Sequence, residues 1–271
     1  MKKYAYFMLI LSPLFCFLAY GYIHPGKYGV VNAIGKHVLT VHSAIHRQFH
    51  NNPSIIYLTF DDGPLQGSEN IDSVILAEKI KISVFLVGEH VQKNRNMENY
   101  FKYYEENPFI DEYNHSYTHA NNQYQKFYSN ANAVVADIQK NQLLLKLPYK
   151  IVRLPGRNMW RIGTRKRDDV KSGSAAADSL AKLGYKVIGW DLEWQHNAKT
   201  GAPIQTVTDI KNEIENKLKS GNTFTPGHIV ILLHDEMFQK KWEESELKQL
   251  IDELRKNPDY IFEQARFYPN L

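Results

Sequence analysis

Ile55-Ile56-Tyr57-Leu58-Thr59-Phe60-Asp61-Asp62-Gly63-Pro64 is a run of β-branched, aromatic and aliphatic residues that stops at two carboxylates and a Gly-Pro breaker. Apolar residues without alternation are the pattern of a strand buried on both faces, as in a parallel sheet. Adjacent like charges at the mouth of a low-dielectric core resist ionising together, and a metal, a cation or a substrate proton relieves the conflict. An ordinary strand-end turn built on Asp-Gly and Gly-Pro is the competing reading of the same residues.

Outward from this strand the apolar period switches repeatedly between strand and helix. Asn70 is placed to cap a helix carrying Ile71, Val74, Ile75, Leu76 and Ala77, and Ile82 to Val87 reads as the next buried strand. Arg95 to Glu106 reads as a Tyr-rich helix stopped by Pro108, and Phe109 to Tyr113 as a short strand. Ser129 is placed to cap a long amphipathic helix through Val134, Ile138, Leu143 and Leu147, followed by an extended stretch from Tyr149 to Leu154. Ser174 to Leu183 is a helix closed by Gly184, and Tyr185 to Trp190 a strand. Val207 to Lys219 is a helix closed by Gly221, Ile229 to Leu233 the most apolar strand, Ser245 to Lys256 the last helix and Tyr260 to Phe262 a short extended tail. This alternation predicts an α/β fold with a parallel, closed or nearly closed barrel.

Met1-Lys2-Lys3 followed by an apolar run to about Tyr20 has the form of a secretory signal, with Ala19-Tyr20-Gly21 offering cleavage after Gly21; an uncleaved anchor is the alternative. The expected organisation is therefore a signal at residues 1–21, a leader helix at 22–50 and a catalytic domain at 51–271. It implies an exported protein of the periplasm, the cell envelope or the medium, touching membrane only through an uncleaved N-terminus. The first 21 residues carry two lysines, no acid and the single cysteine, Cys16, so the remainder is nearly neutral and free of disulfides. No long basic run marks a nucleic-acid surface, and no repeat or Gly/Ser-rich linker divides the chain.

Polar residues gather where the strands end. Asp61 and Asp62 follow one strand, His115 and His119 another, Arg153 a third, Asp191 and Glu193 a fourth, and His234 with Asp235 a fifth. In barrel enzymes the carboxyl ends of the strands form the catalytic rim, so five independent placements there reinforce one another. His42 and His46 have the same H-x-x-x-H spacing without an acid close by, and with 11 histidines in the chain that spacing alone means little. One carboxylate with two neutral imidazoles is a facial ligand set that leaves positions for water and substrate. Asp62, His115 and His119 fit it, Asp61 fits a general base, and His234 suits an acid across the site. Spacing leaves open which aspartate does which, since neighbours on an extended segment point to opposite sides.

These residues resemble the polysaccharide deacetylases with the NodB homology domain, carbohydrate esterase family 4. The resemblance rests on Thr59-Phe60-Asp61-Asp62-Gly63-Pro64, Asn114-His115-Ser116-Tyr117-Thr118-His119, Arg153-Leu154-Pro155-Gly156, Asp191-Leu192-Glu193-Trp194 and Leu232-Leu233-His234-Asp235, in the family's order. It implies a deformed TIM-like (β/α)7 barrel that removes N-acetyl groups from an N-acetylglucosamine-containing polysaccharide, using a divalent metal: Zn2+, with Co2+, Ni2+ or Mn2+ as alternatives. By position, Asp61 resembles the catalytic base; Asp62, His115 and His119 the metal ligands; Arg153 the holder of the base; and His234 the catalytic acid. The resemblance further implies an oxyanion-stabilising backbone N–H near Gly156 and an apolar wall at Leu233 for the acetyl methyl. Two departures stand out. An aromatic often follows the proline of the third motif, so Trp160 is expected to replace it as the substrate-facing wall. In the fourth motif either Asp191 or Glu193 could tune His234, while Trp194 is either substrate-facing or simple core. A relative that binds carbohydrate without turnover, and another metal or phosphoryl hydrolase, are the competing classes; the intact set argues against the first, and the lack of a Gly-rich phosphate cradle against the second.

Overall fold

The computed structural model describes residues 53–240 and 245–271. The signal segment, the leader helix and the His42/His46 pair lie outside the described residues. The main elements are β1 (Ser54–Gly63), α1 (Ser68–Glu78), β2 (Ile82–Leu86), α2 (Arg95–Glu106), β3 (Ile110–Asn114), α3 (Tyr124–Tyr128), α4 (Ala131–Leu144), β4 (Ile151–Val152), β5 (Trp160–Ile162), β6 (Arg165–Arg167), α5 (Ser174–Lys182), β7 (Lys186–Val187), β8 (Leu192–Glu193), α6 (Val207–Ser220), β9 (His228–His234), α7 (Glu246–Arg255) and β10 (Tyr260–Phe262). Ten strands form one sheet in the order β6-β5-β7-β4-β3-β2-β1-β9-β8, with β10 also on β1. The ladder is parallel except where β5 meets β6 and β7. The sheet curls into a half-barrel with helices outside, the deformed (β/α)7 form. Among the described residues its ladder does not close between β6 and β8.

Strand alternation sorts the side chains into two layers. Ile56, Leu58, Phe60, Ile229, Ile231 and Leu233 belong to the cluster beneath the helices. Tyr57, Phe85, Tyr113, Ile188 and Val230 fill the barrel interior instead. The outer layer is completed by amphipathic helices such as α7, which buries Leu247, Leu250, Ile251 and Leu254 at the i, i+3, i+4, i+7 spacing. Fully burying such a side chain stabilises by roughly 1.5–3 kcal/mol. At the amino end of the barrel the chain after β10 closes the interior, where Ala265 and Tyr268 join the inner cluster.

Two caps differ from expectation. α1 starts after Gly67, and Asn70 uses its amide to donate to the Phe238 carbonyl at 3.0 Å. α4 is capped by Asn130, whose side chain accepts from the amides of Asn132 and Ala133, one residue past Ser129. It ends at Leu144, and Leu147 packs beyond it in the outer cluster.

Candidate active site

The layer rule places Asp61, His115, Arg153, Glu193 and His234 toward the barrel interior at the carboxyl ends of their strands. Asp62 would point outward if β1 continued regularly. It does not: the β1–β2 register shifts between Phe60 and Gly63, and Asp62 adopts a left-handed backbone with φ 69°. Both carboxylates thereby face the same pocket. The Asp62 carbonyl accepts from His90 Nδ1 at 2.7 Å, which holds the kink. Gly63 is needed just beyond it, because a Cβ there would lie 2.6 Å from Asp235 Oδ2.

The two histidines reach the site through a loop rather than along a helix face. His115 leaves β3, and positive φ values at Ser116 and at His119 through Asn122 turn the chain back. Asp137 Oδ2 accepts from the amides of Tyr117 at 2.8 Å and Thr118 at 3.2 Å, while Ser116 Oγ accepts from the His119 amide at 2.9 Å. The outcome is convergence on Asp62 Oδ1, which lies 3.2 Å from His115 Nε2 and 2.9 Å from His119 Nε2. The three candidate ligand atoms all lie within 4.8 Å of one another.

The donor chemistry fits a divalent cation. His115 Nδ1 lies 2.9 Å from the Arg153 carbonyl, which can only accept, so that nitrogen carries the proton and Nε2 offers a lone pair. Asp62 Oδ1 is buried and accepts no hydrogen bond. A lone pair facing a buried carboxylate oxygen is repulsive unless a proton or a cation lies between them. Burial opposes ionisation of Asp62, and the imidazoles outweigh it and hold its carboxyl well below the usual carboxylate range only when protons sit between them and Oδ1, the place a cation would take.

Asp61 has different company. Arg153, completely buried, donates through Nη1 to Asp61 Oδ1 at 2.8 Å and to Thr59 Oγ1 at 2.8 Å. Its remaining nitrogens donate to the carbonyls of Ile188 and Gly189. The guanidinium is thus fixed by four acceptors, and it fixes one oxygen of Asp61 in turn. The other oxygen, Oδ2, stands 3.6 Å from His115 Nε2. The adjacent acids are therefore separated by their neighbours, arginine for Asp61 and imidazoles for Asp62.

His234 ends β9 directly across from Asp61 in the parallel register. Burial pushes its imidazole below the ordinary value, while the charges of Asp62, Asp61 and Glu193 pull the other way. Glu193, level with Leu232 on the neighbouring strand, shares this face. Asp191 does not reach it: its carboxylate accepts from the amides of Phe224 at 2.6 Å and Val230 at 3.0 Å. Val230 lies four residues back along β9, about 13 Å from His234 at strand rise, so Asp191 is a structural acid that ties a loop to the sheet.

Two expected substrate contacts, Trp160 and Leu233, are relocated, and Trp194 takes the core alternative. Trp160 lies in the barrel interior, stacked on Phe224 at 4.2 Å between ring centroids, with no exposed surface. Trp194 belongs to the outer cluster, edge-on to Phe238. Leu233 lies in that cluster too, so alternation gives the face of His234 to Leu232. Gly156 is exposed, with φ +60°, in the turn after β4. Sequence reasoning missed His90, which props Asp62, and His196, whose ring lies 4.5 Å from that of His234 and whose Nε2 pairs with Glu236 at 2.8 Å. Neither has a sequence signal, because His90 comes from a single helical turn, Gly88–Val91, and His196 from a loop, and only the fold brings them to the rim.

The polysaccharide deacetylase family profile matches residues 48–187, just over half of the chain. The chain belongs to the polysaccharide deacetylase family. Solved structures agree on the fold of this polysaccharide deacetylase. A Streptococcus mutans CE4 esterase is 21% identical with a TM-score of 0.59, covering 82% of this chain and 90% of its own. The catalytic domain of a peptidoglycan N-acetylglucosamine deacetylase from Eubacterium rectale is 21% identical with a TM-score of 0.57, covering 80% and 90%. A CE4-family pseudoenzyme, in a mutant with restored enzymatic activity, is 18% identical with a TM-score of 0.52, covering 80% and 68%. No curated protein sequence matches the chain.

Proposed function

We propose that this polysaccharide deacetylase carries out metal-dependent hydrolysis of N-acetyl groups on an N-acetylglucosamine-containing polymer, with peptidoglycan as the leading substrate, and that it acts after export. The observation that carries the reading is the convergence of Asp62, His115 and His119, whose candidate ligand atoms all lie within 4.8 Å of one another, beside an Asp61 that a buried arginine holds. When bound there, a divalent cation supplies Lewis acidity, polarising the acetamide carbonyl and easing deprotonation of water.

The protein's own groups complete the reaction. Asp61, oriented by Arg153 through Oδ1, takes a proton from the attacking water through Oδ2. The water oxygen bonds to the carbonyl carbon, with the turn at Gly156 offering a backbone N–H to the developing oxyanion. His234 gives a proton to the amide nitrogen as the C–N bond breaks, leaving acetate and a free amine. Glu193, on the same face, favours the protonated imidazole.

The test is acetate release by purified, zinc-loaded protein from peptidoglycan, poly-N-acetylglucosamine and chitin oligomers, alongside a chelator-stripped sample. Release that is lost on stripping and restored by zinc is expected. Equal release from the stripped protein, or none from any polymer, would refute the proposal. The pH profile should be bell-shaped, with the alkaline limb set by His234 and absent in His234→Asn.

A further inference from the structure

With Trp160 and Trp194 both withdrawn into cores, the rim still needs a surface for the sugar ring that presents the acetamide. A saccharide ring has an apolar face of C–H groups, which binds against an aromatic side chain, and hydroxyls that pair with amides. Tyr124 meets the first requirement at the candidate metal cluster. Its ring stands at 86° to that of His119, with centroids 5.9 Å apart, and it is partly exposed.

The seat of this ring is built. Gly156 has φ +60°, and a Cβ there would lie 3.1 to 3.4 Å from three atoms of the Tyr124 ring, so only glycine lets the ring settle against the turn. Tyr128, one helical turn on, donates its hydroxyl to the Pro155 carbonyl at 2.7 Å and ties α3 to the same turn. The Arg157 guanidinium sits 4.7 Å from the Tyr128 ring and 5.8 Å from the Tyr124 ring, bracing both. Tyr124 also lines an open depression of about 570 Å³ with Asn122, Gln123, Gln125, Lys126 and Ser129. That volume lies in the range of small-molecule sites, roughly 300–1,000 Å³, and the lining is rich in amide and hydroxyl groups.

We propose that Tyr124 is the sugar-stacking residue of this deacetylase, receiving the apolar face of an N-acetylhexosamine ring while the amide side chains beside it read the hydroxyls of the adjoining residue of the polymer. The proposal rests on the deacetylase reading above and names the part of the site that holds the polymer.

Tyr124→Leu, Tyr124→Phe and Tyr124→Trp separate stacking from packing. Their kcat and KM are measured by acetate release, zinc affinity by titration, and binding of a β-1,4-N-acetylglucosamine tetramer by calorimetry on the zinc-loaded protein. Tyr124→Leu is expected to raise KM and the tetramer Kd about tenfold, with kcat and zinc affinity within about threefold of the parent, and both aromatic variants are expected to restore binding. An unchanged KM overturns the proposal. So does a loss of zinc affinity that accompanies the loss of binding and persists in Tyr124→Phe, which would make Tyr124 a prop for His119. If the parent protein releases no acetate from any polymer, the deacetylase reading fails by itself; the tetramer still decides the role of Tyr124, since binding independent of Tyr124, or no binding, overturns it.

Discussion

The two ends of the barrel both bury charge, and they do so in opposite ways. Toward the amino end, Lys81 meets Glu263 at 3.0 Å and Arg266 meets Asp111 at 3.2 Å, each cation facing an anion. Tyr113 adds a hydroxyl donated to Asp111 at 2.9 Å. At the carboxyl end, Arg153 answers Asp61, but Asp62 is surrounded by imidazole nitrogens instead of a fixed cation. A buried ion pair by itself says little about function, because structural pairs also perturb ionisation. What separates the carboxyl end is that three candidate ligand atoms, of Asp62, His115 and His119, converge within 4.8 Å of one another.

The largest effect should come from Asp62→Ala or His119→Ala, which should abolish zinc retention and bring acetate release down to that of stripped protein, as metal analysis and assay on the same sample would show. Asp61→Asn should keep its zinc yet lose about 10²–10⁴-fold in kcat; loss of zinc in this variant would erase the division between the two aspartates. At the other end, Glu263→Gln removes the charge facing Lys81 and should cost roughly 3–5 kcal/mol in urea unfolding while kcat per folded molecule is unchanged. A fall in kcat there would mean that the two ends are coupled.

The smallest effect concerns Asp235, directly behind the rim. Its Oδ2 accepts from Ser68 Oγ at 2.5 Å and from the Tyr104 hydroxyl at 2.9 Å, and burial pushes its carboxyl up to about 7. Between its ordinary value of 3.8 and about 7, the folded chain keeps a proton that the unfolded chain has lost. Stability from this group is therefore greatest at acid pH, falls through that window and is level above it. Asp235→Asn should flatten the decline when unfolding of metal-free protein is compared from about pH 4.5 to about pH 8.

Much of this molecule could be read from residues alone, and the failures have physical reasons. β1 was legible because its apolar run from Ile55 to Phe60 carries its own pattern, and α2 was legible to the residue because Pro108 stops it, the Asn94 cap being seen only in the structure. β4, β7 and β8 pair over two residues each, too short for any periodicity, so the sequence shows longer extended stretches than the ladder uses. The candidate site residues at strand ends stood out for a related reason: a polar residue after a buried run has few explanations. Distinguishing Leu232 from Leu233 depends on the parity of β9 relative to the sheet, which a uniformly apolar strand conceals. Asp191 and Glu193 looked interchangeable, and only the backbone amides of Phe224 and Val230 reveal that Asp191 is already engaged. The positive φ that brings Asp62 beside Asp61 has no sequence signature beyond aspartate's tolerance for that conformation.

The order in which the strands pair has a further consequence. β1 forms its lower ladder with β10 and a full ladder with β9, whose residues lie about 170 to 200 positions later. β1 therefore gains β2 early, about 24 positions on, but its β9 side and its lower half wait until residues 228–262 have been made. Such long-range pairing slows folding, because the entropy of closing large loops comes before the contacts that offset it. Removing residues 260–271 would accordingly act less like trimming a tail than like withdrawing the last stave, leaving β1 with an open seam along its lower half.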